Sequence, residues 1–197
     1  MKVSKAQASD NRDAIIHAAA SHLRRRGFDG MSVADVARAA GLTHGALYSH
    51  FKSKDALKAE AIKRAFDDRV RALSGLTPGK FLRCYLSSEH RDQPGDGCPI
   101  SALVSEVWRQ PLASQAALRD GVQRFAALAG ESLESAGAEH GHDRAMLMFA
   151  AMVGGLTLSR AIRKVDKAGS DDILRAITDQ LEKLIMESKR KSKKRNR

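Results

Sequence analysis

Gly41, four residues after Ala37, sets the tightest limit on how this chain folds. Ser32 can open a helix by accepting a hydrogen bond from its first turn, and Asp35 three residues on resembles a capping box. That helix runs no further than Ala40, because Gly41 provides the positive φ of a sharp turn at no steric cost. Thr43 caps a second short helix reaching Phe51, and Ser53 caps a longer one from about Lys54 towards Leu73. Ala37 is small where the second helix crosses close above it, while Val33, Val36, Leu42 and Leu47 face inward against Ile15 and Leu23 of a preceding helix, Asn11–Arg26. Two short helices joined in this way make a helix-turn-helix. The outer surface of its second helix is left to Thr43, His44, Gly45, Ala46, Tyr48, Ser49 and His50. Hydroxyls, imidazoles and small residues at the start of a helix suit the major groove of DNA, where base edges present donors and acceptors.

The run Ser32-Val33-Ala34-Asp35-Val36-Ala37, followed by Gly41-Leu42-Thr43-His44-Gly45-Ala46-Leu47-Tyr48-Ser49-His50-Phe51-Lys52-Ser53-Lys54-Asp55-Ala56-Leu57, resembles the DNA-binding domain of the TetR family of transcriptional regulators almost position by position. Ile15 to Phe28, with its Gly27-Phe28 ending, fits as well, so the resemblance covers residues 11–60. It implies that Ser32 and Thr43 hold phosphates by hydroxyl and backbone amide, and that Tyr48 and His50 contact phosphates from the recognition helix. Lys54 would pair with a phosphate that the N-terminus of its helix also attracts. His44, Gly45 and Ala46 stand where the family touches base edges; His44 is the base reader, and the other two act by close approach or against a thymine methyl. Leu47 and Phe51 are core. Arg24-Arg25-Arg26 reads as a solvated face complementing a helix C-terminus rather than as a DNA contact.

The remainder predicts an all-α protein of about nine helices and no strand. After the breaker cluster 74–79, helices are expected over Lys80–His90, Cys98–Arg109, Leu112–Ala136, His142–Lys164 and Ser170–Ser188, with Arg91–Gly97 as a loop. The net charge of +11 is unevenly spread. Residues 1–60 hold ten Lys and Arg against six Asp and Glu; residues 61–188 hold seventeen of each; residues 189–197 hold seven cations and no anion. Three segments follow: a helix-turn-helix head over 1–60, a helical body over 61–188 and a basic, disordered tail over 189–197. The tail is expected either to solubilise or to add non-specific DNA affinity, ahead of a membrane-surface role. Two cysteines are too few for a disulfide framework or a Cys-pair zinc finger, no signal peptide is expected, and the longest apolar run, Ala145–Leu158, reads as a buried helix. A cytoplasmic protein is the expectation.

The resemblance assigns the body to effector binding and dimerisation, with looser likeness at Gly97–Leu103 and Met152–Ala161. The last two long helices would build a four-helix bundle with their copies across a two-fold axis, Gly154-Gly155 permitting close approach. A homodimer would present two recognition helices ~34–36 Å apart, or somewhat more, to a near-palindromic operator in double-stranded DNA. A pocket for a small apolar or amphipathic effector would be lined by Phe81, Tyr85, Trp108, Phe125, Met148 and Met152, each of which is equally well a core residue. Cys98, at a helix N-terminus, is a candidate redox or electrophile sensor, whereas Cys84 reads as buried. His140-Gly141-His142-Asp143 has ligand-like residues but no fixed scaffold, so neither metal nor cofactor is expected. Phosphate-binding, nucleophile-elbow and zincin motifs are missing, which argues against an enzyme. The reading is therefore a one-component regulator, in most such cases a repressor; the rival is an architectural, chromosome-organising DNA binder without a small ligand.

Overall fold

The structure, a computed structural model, describes residues 4–73, 75–135 and 137–195. Among them are ten α-helices, one 3-10 turn and no strand. α1 (Lys5–Gly30) begins earlier than expected because Ser4 caps it, accepting from the Gln7 amide at 3.1 Å. Its helical path breaks at Gly27, whose φ of 71° and ψ of −175° turn the chain out of the helix. α2 (Val33–Ala39), α3 (His44–His50) and α4 (Lys54–Leu73) follow. Each is started by the expected hydroxyl: Ser32 accepts from Asp35 N at 3.3 Å, Thr43 from Ala46 N at 3.3 Å and Ser53 from Ala56 N at 3.1 Å. Gly41, at φ 70°, makes the turn between α2 and α3.

The expected helix over Lys80–His90 is two, α5 (Pro78–Tyr85) and α6 (Ser88–Asp92). Ser87 divides them: its hydroxyl donates to Cys84 O at 3.0 Å and accepts from His90 N at 3.1 Å, a local alternative to the continuous helical ladder. A 3-10 turn (Pro94–Asp96), α7 (Pro99–Val107), α8 (Leu112–Ser135), α9 (Gly141–Ile162) and α10 (Lys167–Arg195) complete the chain. α10 continues through residues 189–195, which the charge run had suggested to be disordered. Lys and Arg are good helix formers, and neither Gly nor Pro interrupts them there. Residues 196 and 197 lie outside the described residues.

The chain divides into two compact units, one of residues 1–71 with 94–121 and one of residues 72–93 with 122–197. The head thus shares its unit with most of α4 and with the segment 94–121, which the charge distribution had grouped with the body. In the first unit Ile15, Leu23, Phe28, Leu47, Leu57, Ile62 and Leu103 are buried, with α1 packed on α2, α7 and the 3-10 turn. Val33 and Leu42, expected to face inward, are half-buried. Freed from the helix by the Gly27 break, the Phe28 amide donates to Glu106 Oε2 at 2.9 Å. Arg24 is not solvated: it is 6% exposed and its Nε donates to Gly95 O at 2.6 Å. Helical period explains this, since Ile16, Ala20, Arg24 and Phe28 recur every four residues on one buried face, leaving Arg25 and Arg26 outside. Burial lowers the Arg24 pKa, opposed by Asp96 and Asp68.

In the second unit an aromatic core joins Phe81, Tyr85, Phe125 and Phe149, the Phe125 and Phe149 rings 4.4 Å apart, while Gly155 admits Ile177. Arg91, assigned by sequence to a loop, is a buried residue of α6. Its guanidinium donates to Asp92 at 2.8 Å, Ser170 at 2.8 Å and Asp171 at 2.5 Å, and Arg160 donates to the Arg91 and His90 carbonyls. Ser159 and Ser170, both fully buried, close the link between α9 and α10 at 2.7 Å. Cys84, expected to be buried, is exposed, because α5 turns Leu82 and Tyr85 inward and places Cys84 on the opposite side. By length and composition α9 is the one helix among those described that could cross a bilayer, yet it packs on α10 and α6. Met146, Leu147 and Leu158 remain exposed along it, as do Leu184 and Met186 on α10.

Candidate DNA interface

The candidate recognition surface is built on a helix of only seven residues, so its rigidity comes from its ends and its buried face. Thr43 holds the first turn, and the Phe51 amide donates to Leu47 O at 3.1 Å to close the last. Leu47 and Phe51 are buried, as expected of core positions, and Arg12 stacks over the Phe51 ring at 5.0 Å. What remains outward is the expected set. Thr43, His44, Gly45, Tyr48 and Ser49 are exposed, and Ala46 and His50 are half-buried. Ser32, at the start of α2, and Lys54, at the start of α4, are also half-buried. Gly45 has open space where a Cβ would stand, so nothing on the protein obstructs close approach there. The Ser49 hydroxyl donates back to Ala46 O at 2.6 Å, which leaves its lone pairs outward. Lys52, exposed in the turn between α3 and α4, adds a cation absent from the sequence-derived set; its only signal was its place just before the cap Ser53. The first turn of α4 supplies free amides beside Lys54, an arrangement that favours anions.

Residues 15–61 match the family model for bacterial regulatory proteins of the tetR family. That stretch is similar to the DNA-binding part of TetR-family regulators. The chain is 30% identical over 88 residues to the HTH-type transcriptional repressor DhaR of Mycobacterium sp., covering 42% of this chain and 44% of that protein. It is 31% identical over 96 residues to the HTH-type transcriptional repressor KstR2 of Mycolicibacterium smegmatis, covering 43% of this chain and 46% of the relative. The chain therefore matches slightly under half the length of these curated relatives. The fold likeness extends further: the reduced form of E. coli NemR superposes with a TM-score of 0.74 at 20% identity, over 88% of this chain and 96% of the other. A TetR-family regulator from Agrobacterium tumefaciens gives 0.69 at 18% identity, over 88% and 98%.

The residues expected to line an effector pocket are distributed over both compact units. Tyr85, Phe125 and Met152 are buried in the second unit, Phe81 is half-buried beside them, and Met148 packs against Leu133, Ala138 and Ala145. Trp108 belongs to the other unit and is 65% exposed, its indole N–H donating to Ser105 O at 3.0 Å and Arg109 stacked on its ring. In the second unit a groove of about 370 Å³ lies between α5, α6 and α10, lined by Leu86 and Leu174 and flanked by Arg83, Lys167, Asp171 and Arg175. Cys98 stands at the N-cap of α7, as expected, but it is buried, without the solvent access on which thiol sensors rely.

Proposed function

We propose that this chain is a one-component transcriptional regulator of the TetR family that binds a near-palindromic operator as a homodimer and represses. The observation carrying this reading is α3: a capped helix with its apolar side buried and a face of hydroxyl, imidazole and small residues left open. Tyr48, His50, Ser32, Thr43 and Lys54 hold phosphates, while His44, Gly45 and Ala46 meet base edges. The repressor names of the two curated relatives support the sign of regulation. The exposed apolar residues of α9 and α10 support dimerisation through those helices. A small apolar or amphipathic effector releases DNA by preferring the dimer spacing that does not fit the operator.

Selecting duplexes from a random pool tests the reading, with Tyr48→Ala and His44→Ala beside the parent. Tyr48→Ala weakens binding to every sequence and reduces the salt slope by about one phosphate contact, whereas His44→Ala changes the order of preference among operators. Failure to enrich any sequence would remove the reading. Genomic maps separate a regulator, at few promoter sites, from a dispersed architectural binder.

A further inference from the structure

We infer that His44, besides meeting bases, is a positioning residue for Tyr48; this rests on the DNA-binding reading of α3. The two side chains stand one turn apart, their ring centroids separated by 5.2 Å and their planes by 69°. This edge-to-face arrangement is the favoured one for rings carrying a quadrupole. The backbone favours this support. Helical side chains lean towards the N-terminus, so the Tyr48 ring lies back over the turn that carries His44. Between them Gly45 has no side chain and Ala46 has a single methyl, so neither can wall the phenol in. Tyr48 is itself 50% exposed, and among the described residues its ring pairs with His44. His44 is in turn held at the first position of α3 by the Thr43 cap. The imidazole thus restricts the rotamers of a group whose hydroxyl must meet a phosphate, and it lowers the ordering cost paid on binding.

The two roles of His44 separate by substitution. Phe at position 44 keeps a ring for Tyr48 and loses every hydrogen bond to a base; Ala loses both. Binding to the selected operator and to a scrambled duplex is measured at one salt concentration for the parent, His44→Phe, His44→Ala, Tyr48→Ala and the double variant His44→Ala/Tyr48→Ala. His44→Ala is expected to weaken binding to both duplexes by about three- to tenfold, the range of one aromatic pair. His44→Phe is expected to restore the scrambled duplex to the parental affinity while still losing operator preference. In the Tyr48→Ala background, His44→Ala should cost nothing further on the scrambled duplex. In the free protein, the Tyr48 ring protons should shift on His44→Ala. Equal weakening by Phe and Ala on the scrambled duplex, additive losses in the double variant, or unmoved Tyr48 resonances would each overturn the inference. A parent that selects an operator while the double variant is additive removes this role alone; a parent that selects nothing removes the DNA reading and this role with it.

Discussion

The recognition helix and the Arg91 cluster are opposite uses of polar side chains. Along α3, Thr43, His44, Tyr48 and Ser49 are exposed, their local partners lie within four residues, and a deletion leaves little uncompensated. Around Arg91, besides the adjacent Asp92, two partners lie 79 and 80 residues away on α10, and the guanidinium is withdrawn from water. A surface that binds must keep its hydrogen-bonding capacity unspent, whereas a cluster that joins helices must spend all of it. Loss should therefore register as affinity on α3 and as stability at Arg91.

The largest effect is expected from Arg91→Leu. It removes one partner each from Ser170, Asp92 and Asp171, and we expect a loss of about 2–3 kcal/mol by chemical denaturation, kept modest because Ser159, Arg163 and Lys167 remain beside them and both carboxylates are partly solvated. Hydrogen bonds from Arg91, joined by Arg163 at Asp92 and by Lys167 at Asp171, hold both carboxyls below the usual carboxylate range. Groups lowered on folding stabilise fully above the unfolded value, about pH 4 for Asp, and lose that contribution as pH falls through the lowered one. The parent should accordingly lose stability more steeply below about pH 4 than Arg91→Leu does. Parallel acid titrations of the two proteins would refute the ion-pair account. Gly27→Ala should cost about 2 kcal/mol in the other unit, since φ 71° disfavours a Cβ and that atom would stand 2.7 Å from both Glu106 carboxylate oxygens. Gly41→Ala, at the same φ but in open space, should cost only about half as much; equal losses would show that Glu106 yields freely.

The same contrast explains what could be read before the structure. Ser32, Thr43, Ser53, Gly27 and Gly41 act on backbone within four residues, so their chemistry is visible in order along the chain, and with them the exposed face of α3. Arg24, Arg91, Cys84 and Trp108 were misplaced because their burial depends on what packs against each helix. Period alone would have rescued Arg24, which shares a face with Ile16, Ala20 and Phe28. The neighbouring Asp92 does not by itself mark Arg91 as buried, because Ser170 and Asp171 are supplied by a distant helix. The grouping of 94–121 with the head was hidden for the same reason: it rests on Glu106 meeting Phe28, Gly95 meeting Arg24 and Gln110 meeting Lys58.

A smaller effect on the fold, with a decisive reading for assembly, is expected at α9. Gly155 is filled by Ile177, but a Cβ at Gly154 would meet nothing within 4 Å. In a chain that stays alone, Gly154→Ala should stabilise the helix by up to about 1 kcal/mol. If α9 packs on a second copy at that point, Gly154→Leu should shift sedimentation from dimer to monomer with helix content unchanged. A dimer that tolerates Leu would place the two-fold contact elsewhere.

The smallest effect on recognition is expected from removing residues 189–197. This stretch holds seven cations and no anion. Counterion release makes its contribution one of salt dependence: each phosphate it neutralises adds about 0.9 to the slope of log affinity against log salt, on any sequence alike. Truncation should therefore flatten the slope for operator and scrambled duplexes by the same amount and leave their affinity ratio unchanged. The head retains a net excess of only four cations within residues 1–60, so the truncated chain tests whether the exposed face of α3 recognises DNA without that reservoir of charge. A fall in the operator-to-scrambled ratio would mean that the basic end of α10 takes part in sequence recognition, and the division between a reading head and a charged tail would not hold.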